Sequence, residues 1–188
     1  MAAPILSRED IEQIAGRVLS IYTEAYVPER HLFYQVNPEE LAEVLGLEVD
    51  YQIPSLDGSI LGVTSPDEQY VPVYYNGEEC YYYLDGNTIL IDARLCASPK
   101  AVGRKVTDWT EWQADALAAA LLMPKDAILD GMFLVGLGEH VGTLSRKYTP
   151  NKYDSFCRLA GLLGVSKSAL AFRMEHLGLL DKNLLYRQ

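Results

Sequence analysis

The sequence predicts an α+β fold, because segments with helical periodicity lie on both sides of a strand-rich middle. Apolar residues recur every three or four positions in residues 7–26 and 108–124, which is the spacing of one helix face. Residues 60–92 instead hold short β-branched and aromatic runs separated by turn dipeptides. Helices and strands in separate stretches of the chain are typical of an α+β domain.

Bulk composition limits the class of protein. A chain of 188 residues, of which 49% are hydrophobic, is long enough to bury a core and forms one domain, or one domain with a small appendage. It contains no run of eighteen apolar residues and no basic, apolar leader, so we expect a cytoplasmic protein without a membrane span. The three scattered cysteines favour free thiols in a reducing compartment.

The first part of the chain predicts two helices and a strand. Residues 7–26 form a helix with Ser7 as its cap and Asp10 three positions later. Residues 38–46 form a shorter helix with Asn37 as cap and Pro38 in its first position. Residues 47–53 then alternate in the manner of a strand.

Four further strands are predicted at residues 60–64, 71–75, 80–84 and 88–92. Asn76-Gly77 is a hairpin dipeptide, so the second and third of these strands should pair antiparallel. Tyrosines are concentrated here, and they either cover a half-exposed sheet, which is the commoner case, or line a peptide groove. The cluster comprises Tyr70, Tyr74, Tyr75, Tyr81, Tyr82 and Tyr83.

The strongest helix signal covers residues 108–124. Asp108 can cap its start, Glu111 can reach back in a capping box, and Pro124 ends the pattern. The predicted apolar stripe consists of Ala114, Leu117, Ala118, Leu121 and Leu122.

Residues 111–124 read Glu-x-x-Ala-Asp-x-Leu-Ala-Ala-x-Leu-Leu-Met-Pro, and they resemble the second active-site helix of the ImmA/IrrE family of metallo-endopeptidases. The resemblance implies a zincin-like domain, with N-terminal helices, a small antiparallel or mixed sheet, the second active-site helix and a C-terminal helical part. It also implies an origin in a phage or mobile element and a helix-turn-helix repressor as partner. Glu111 stands at the position of the third zinc ligand.

In that family the other two zinc ligands lie on an upstream helix with His-Glu-x-x-His, which this sequence lacks. Residues 93–110 are too few for a zinc helix, a return loop and a cap, so we interpret the gap as an in-frame deletion. His31, His140 and His176 supply no pair at i, i+4 and no inverted His-x-x-Glu-His motif. We therefore predict no catalytic residues and no bound zinc, with Glu111 both a capping residue and a vestigial ligand.

The C-terminal part predicts a helix over residues 125–134 and a helix-turn-helix-like pair over residues 153–163 and 167–177. Its Gly-Val-Ser run resembles the C-terminal end of members of the same peptidase family. We place the domain boundary between residues 1–142 and 143–188. The first part holds 8 Lys and Arg against 23 Asp and Glu, while the second holds 8 against 3.

Two functions remain open from the sequence. The first is an ImmA/IrrE-like metallopeptidase family protein that is inactive as written and still binds a repressor. By resemblance, that contact would be strand addition at a sheet edge formed by Thr88, Ile89, Leu90 and Ile91. The second is a DNA-binding or regulatory protein that uses residues 153–177. The acidic body and the presence of only Lys167 and Arg173 as basic residues on residues 167–177 make nucleic acid the less favoured partner.

Overall fold

The computed structural model describes residues 5–26, 35–97 and 109–181. Within these ranges the chain is a mixture of helices and small sheets, which confirms the α+β class. The helices are α1 (Arg8–Tyr26), α2 (Pro38–Val44), α3 (Arg94–Ala97), α4 (Trp109–Leu122), α5 (Lys125–Val135), α6 (Pro150–Leu162) and α7 (Lys167–His176). The strands are β1 (Glu48–Gln52), β2 (Gly62–Ser65), β3 (Gln69–Tyr75), β4 (Glu78–Leu84) and β5 (Thr88–Asp92).

The chain divides into two compact units that differ from the predicted domains. Residues 1–36 and 106–188 form one, here called the helical unit, and residues 37–105 form the other, the sheet unit. The predicted boundary between residues 142 and 143 falls inside one hydrophobic core. Ile128 and Met132 before that boundary share the core with Leu159 and Met174 after it.

Helix α1 begins as predicted, with a reciprocal capping box. The backbone N–H of Asp10 donates to Oγ of Ser7 at 3.2 Å, and the N–H of Ser7 donates to Oδ2 of Asp10 at 2.9 Å. Two donors that the helix leaves unpaired are thereby satisfied. The buried face of α1 consists of Ile11, Ala15, Leu19 and Tyr22.

Helix α4 packs beside α1 on a face that shares Leu117 and Leu121 with the predicted stripe. Ala120 is buried with Ile11 and Ala15 of α1, whereas Ala114 and Ala118 are exposed. Alanines occur on both faces of α4, so their spacing does not identify the buried one. The predicted cap, Asp108, lies outside the described residues.

The pair α6 and α7 packs against α5 in one core. The pair buries Phe156, Leu159, Leu163, Leu170 and Met174 in this core, and Leu177 is half-buried beside them. Helix α6 starts at Pro150, three residues before the predicted start, because proline fits the first position of a helix. Ser166 caps α7, its Oγ accepting from the N–H of Ala169 at 3.1 Å. None of the described helices has the length and apolar character that crossing a membrane requires.

The sheet unit contains a three-stranded mixed sheet and a separate hairpin. Strand β5 lies in the middle of the sheet, parallel to β1 and antiparallel to β2. Strand β2 starts at residue 62 rather than at the predicted residue 60, because Oγ of Ser55 accepts from the N–H of Ile60 at 3.0 Å and holds that residue in a loop.

The hairpin of β3 and β4 forms as Asn76-Gly77 predicts, since both turn residues have positive φ, 52° and 85°. One face of the hairpin packs Val71, Val73 and Leu84 into a small core with Leu90 of β5. The opposite face carries Tyr70 opposite Tyr83 and Pro72 opposite Tyr81. We call these last four residues the tyrosine face.

Two glycines of the helical unit allow backbone conformation to be tested without any steric change. A methyl group added at Gly16 or at Gly136 would meet no atom within 4 Å. Gly16 lies inside α1, so Gly16→Ala should raise the free energy of unfolding by about 0.5–1 kcal/mol. Gly136 ends α5 with φ 76°, so Gly136→Ala should lower that free energy by about 1 kcal/mol.

Urea denaturation followed by circular dichroism measures both glycine variants beside the parent. Changes of the same sign in the two variants would contradict the backbone conformations given for residues 16 and 136.

Candidate functional site

The start of α4 is the position at which the resemblance places a zinc ligand. Glu111 lies in the first turn of this helix, and its side chain is outside the described residues. Its neighbours Trp109 and Trp112 stack with ring centroids 4.6 Å apart and planes 24° apart. The guanidinium carbon of Arg8 lies 5.8 Å from the centre of the Trp112 ring, which is cation–π distance.

An open groove of about 620 Å³ lies beside this stacked pair, at the starts of α1 and α4. Its lining residues are Ile5, Leu6, Ser7, Arg8, Asp10, Trp109 and Trp112. Hydrogen bonds from the side chain and the N–H of Ser7 hold the pKa of Asp10 below its usual value. A carboxylate with a lowered pKa is a weak base, so Asp10 is poorly suited to accept a proton in catalysis.

The described residues do not fit a catalytic zinc site. They contain no group of three or more His, Cys, Asp or Glu side chains arranged to hold a metal ion. Nε2 of His140 lies 3.3 Å from a carboxylate oxygen of Asp181, on the surface of the helical unit. His31 lies outside the described residues. Catalytic zinc needs three protein ligands, so no chemical step is assigned to zinc in this chain.

The predicted sheet-edge residues Thr88, Ile89, Leu90 and Ile91 do not lie at an edge of the described three-stranded sheet. These residues belong to β5, whose backbone pairs with β1 on one side and with β2 on the other. A peptide adds to a sheet only where backbone donors and acceptors are free, so β5 cannot accept one. The outer strands of this sheet are β1 and β2.

At the end of β5, the buried Asp92 and the partly exposed Arg94 form a clamp that the sequence did not reveal. Nε of Arg94 donates to both carboxylate oxygens of Asp92, at 2.9 and 3.1 Å, and the N–H of Arg94 donates to Oδ1 at 3.0 Å. The same guanidinium donates to the carbonyls of Ser55 and Leu56 at 2.7 and 3.0 Å. These bonds tie the loop after β1 to the end of β5.

The side-chain hydrogen bonds from Arg94 are the main reason that the pKa of Asp92 is below its usual value. Burial acts in the opposite direction and is outweighed. Because Asp92 is 2% exposed, its charge depends on this single cation. The spacing Asp-x-Arg directly after a strand is the only sequence signal for this clamp.

The arginine of helix α7 is buried inside the protein. Arg173 is 6% exposed, and Nε donates to the carbonyl of Met123 at 3.1 Å. Its two terminal nitrogens donate to the carboxylate of Glu12 on α1, at 2.5 and 2.9 Å. A guanidinium held by three acceptors is not free to contact DNA phosphates or bases.

The other basic residue considered for DNA contact, Lys167, is the first residue of α7. Its Nζ lies 5.9 Å from the centre of the Tyr153 ring on α6. One exposed lysine is a small electrostatic footprint compared with the clustered basic residues of DNA-binding helices.

Comparisons with protein-family models, with curated proteins and with solved structures found no match for this chain. The likeness to ImmA/IrrE peptidases therefore depends on residues 111–124 and the Gly-Val-Ser run of residues 164–166. The structure adds the positions of those residues: the first run is largely α4, and the second joins α6 to α7.

The ion pair between Arg173 and Glu12 should contribute to stability. Glu12→Ala leaves the buried guanidinium without its carboxylate, so the free energy of unfolding should fall by about 2 kcal/mol. This loss is smaller than that expected for a fully buried pair, because the side chain of Glu12 is 38% exposed. Glu24→Ala, the same substitution at an exposed position of α1, should change it by less than about 0.5 kcal/mol.

Urea denaturation of both glutamate variants measures these changes, and Arg173→Met tests the coupling. In the Glu12→Ala background, Arg173→Met should cost less than in the parent. Equal costs in the two backgrounds would show that Glu12 and Arg173 do not interact.

The Asp92–Arg94 clamp should make stability depend on pH. A carboxylate with a lowered pKa in the folded state stabilises the fold above its unfolded pKa, about 3.9, and this contribution is lost as the pH falls through the folded value. Asp92→Asn should therefore be less stable than the parent at pH 7, with the difference shrinking below about pH 4.

The pH test compares urea midpoints of the parent and of Asp92→Asn between pH 2 and pH 7. Because every other acidic group is common to both proteins, their titrations cancel in the difference. A difference that stays constant over this range would contradict the clamp as the cause.

Proposed function

We propose that this chain is an ImmA/IrrE-like protein that binds a helix-turn-helix repressor without cleaving it. The specific motif of residues 111–124 supports the family. The absence of His-Glu-x-x-His supports loss of cleavage, because Glu111 alone cannot hold a zinc ion that activates water. A scaffold that keeps its partner-binding surfaces can still sequester that partner after its chemistry is gone.

The observation that carries this proposal over DNA binding is the buried position of Arg173. A DNA-reading helix projects its basic and polar side chains into the major groove. Helix α7 instead turns its arginine toward Glu12 and the Met123 carbonyl, and Leu170 and Met174 lie in the core. The pair α6 and α7 therefore supports a structural role, in the same unit as the motif helix α4.

The charge of the chain also supports a protein partner. The formal net charge is −10, and residues 1–142 alone carry −15. A negative body repels the phosphate backbone and attracts basic protein surfaces. Repressors present such a basic surface where they contact DNA.

The proposal is tested with a purified helix-turn-helix repressor of a phage or mobile element. The two purified proteins, mixed at micromolar concentration, should co-elute in size-exclusion chromatography. Mass spectrometry should show full-length repressor after incubation, with and without equimolar zinc. Glu111→Gln should behave like the parent, since Gln can still accept the cap residue's N–H.

Three outcomes would contradict the proposal. Separate elution of the two proteins would exclude binding. Cleavage that requires zinc and disappears in Glu111→Gln would show an active peptidase in which Glu111 is a ligand. A sequence-selective mobility shift of DNA that disappears in Lys167→Ala would instead support the DNA-binding alternative.

A further inference from the structure

The tyrosine face is an aromatic surface on the outer side of the β3–β4 hairpin. Tyr70, Tyr81 and Tyr83 are 68%, 70% and 44% exposed. The rings of Tyr70 and Tyr83 lie 5.2 Å apart at 58°, a tilted pair across the two strands. Tyr81 lies two residues from Tyr83 on the same face, roughly 7 Å away along the strand.

Carboxylates border this face at both ends. Near the turn, Oε2 of Glu79 accepts from the hydroxyl of Tyr74 at 3.1 Å. At the other end the pKa of Tyr83 is raised, mainly because its hydroxyl donates to Glu68, with a smaller effect from the charge of Asp85. Aromatic rings therefore lie between negative groups along the length of the hairpin.

The sheet unit, residues 37–105, holds 12 Asp and Glu against four basic residues, three of which, Lys100, Arg104 and Lys105, lie outside the described residues. Residues 37–97 contain 12 Asp and Glu and one basic residue, Arg94. That guanidinium is held by Asp92 and by the carbonyls of Ser55 and Leu56. Within residues 37–97, no lysine or second arginine is present to neutralise the carboxylates beside the tyrosine face.

We propose that the tyrosine face is a docking surface for an arginine-bearing segment of a partner protein. A guanidinium is planar, so it can stack on a tyrosine ring and donate to a neighbouring carboxylate at the same time. Tyr70, Tyr81 and Tyr83 provide the rings, and Glu68 and Glu79 provide the acceptors. Phosphate-bearing partners are disfavoured by the same carboxylates.

This inference rests on the proposed function in one respect: it assigns a surface to the repressor's basic, DNA-contacting side. Its test uses a peptide rather than the repressor, so the two can fail separately. A repressor that does not co-elute would contradict the proposed function, whereas the peptide result bears on the tyrosine face alone.

The experiment measures fluorescence anisotropy of labelled nona-arginine, nona-lysine and nona-glutamate peptides with the full chain, at 50 and 150 mM NaCl. Nona-arginine should bind several-fold more tightly than nona-lysine, and nona-glutamate should not bind. The triple variant Tyr70→Ser, Tyr81→Ser and Tyr83→Ser should lose about tenfold in affinity for nona-arginine, although its net charge is unchanged.

Three control variants separate ring stacking from general charge. Tyr→Phe at the same three positions keeps the rings and should bind within about threefold of the parent. Tyr148→Ser removes a comparably exposed tyrosine from the helical unit and should change nothing. Glu68→Gln with Glu79→Gln should weaken nona-arginine binding.

Two results would overturn the proposal, provided that thermal unfolding shows the triple serine variant to be folded. One is an unchanged affinity of that variant for nona-arginine. The other is equal affinity of the parent for nona-arginine and nona-lysine, which would indicate diffuse attraction by the acidic unit rather than docking on tyrosine rings.

Discussion

The guanidinium of Arg173 joins three parts of the helical unit that are far apart in the sequence. It extends from α7 to the carboxylate of Glu12 on α1 and to the carbonyl of Met123 after α4. A charge this deeply buried is tolerated only where its donors are satisfied, so the three segments must be in place together. The N-terminal helix and the C-terminal pair consequently belong to one unit, with the sheet unit inserted between them in the sequence. The same contact removes the residue that a DNA-reading role for α7 would need.

Local signals in the sequence predicted the elements well, since each signal and the structure it determines lie within a few residues. The Ser7–Asp10 capping box, the Asn37 cap and the Asn76-Gly77 turn all form as expected. The predicted domain boundary was inferred from a change in charge along the chain. Charge is a surface property, whereas a unit is defined by its core, and that core includes residues on both sides of residue 142. The stripe predicted for α4 was right at Leu117 and Leu121 and wrong at Ala114 and Ala118, because alanines there occupy both sides.

The candidate site was predictable only where it depends on local sequence. The position of Glu111 in the first turn of α4 follows from a motif. The central position of β5 does not, because strand order is set by long-range pairing that an apolar run leaves open. In the structure Thr88, Leu90 and Asp92 are buried and the residues between them are half-buried, as is typical of a strand at the centre of a sheet. The carbonyl partners of Arg94 and the partners of Arg173 likewise come from distant loops and helices, so only the structure identifies them.

The Asp92–Arg94 clamp has a consequence for the surface of the sheet unit. Burying Asp92 requires a cation, and Arg94 is the only basic residue in residues 37–97. Once Arg94 is committed to Asp92 and two carbonyls, the exposed carboxylates of this segment have no positive side chain of their own segment beside them. A basic partner that neutralises these carboxylates releases the dissolved ions around them, so its binding weakens as salt is added. The tyrosine rings add selectivity to that attraction, because a planar guanidinium stacks on an aromatic ring better than a compact ammonium does.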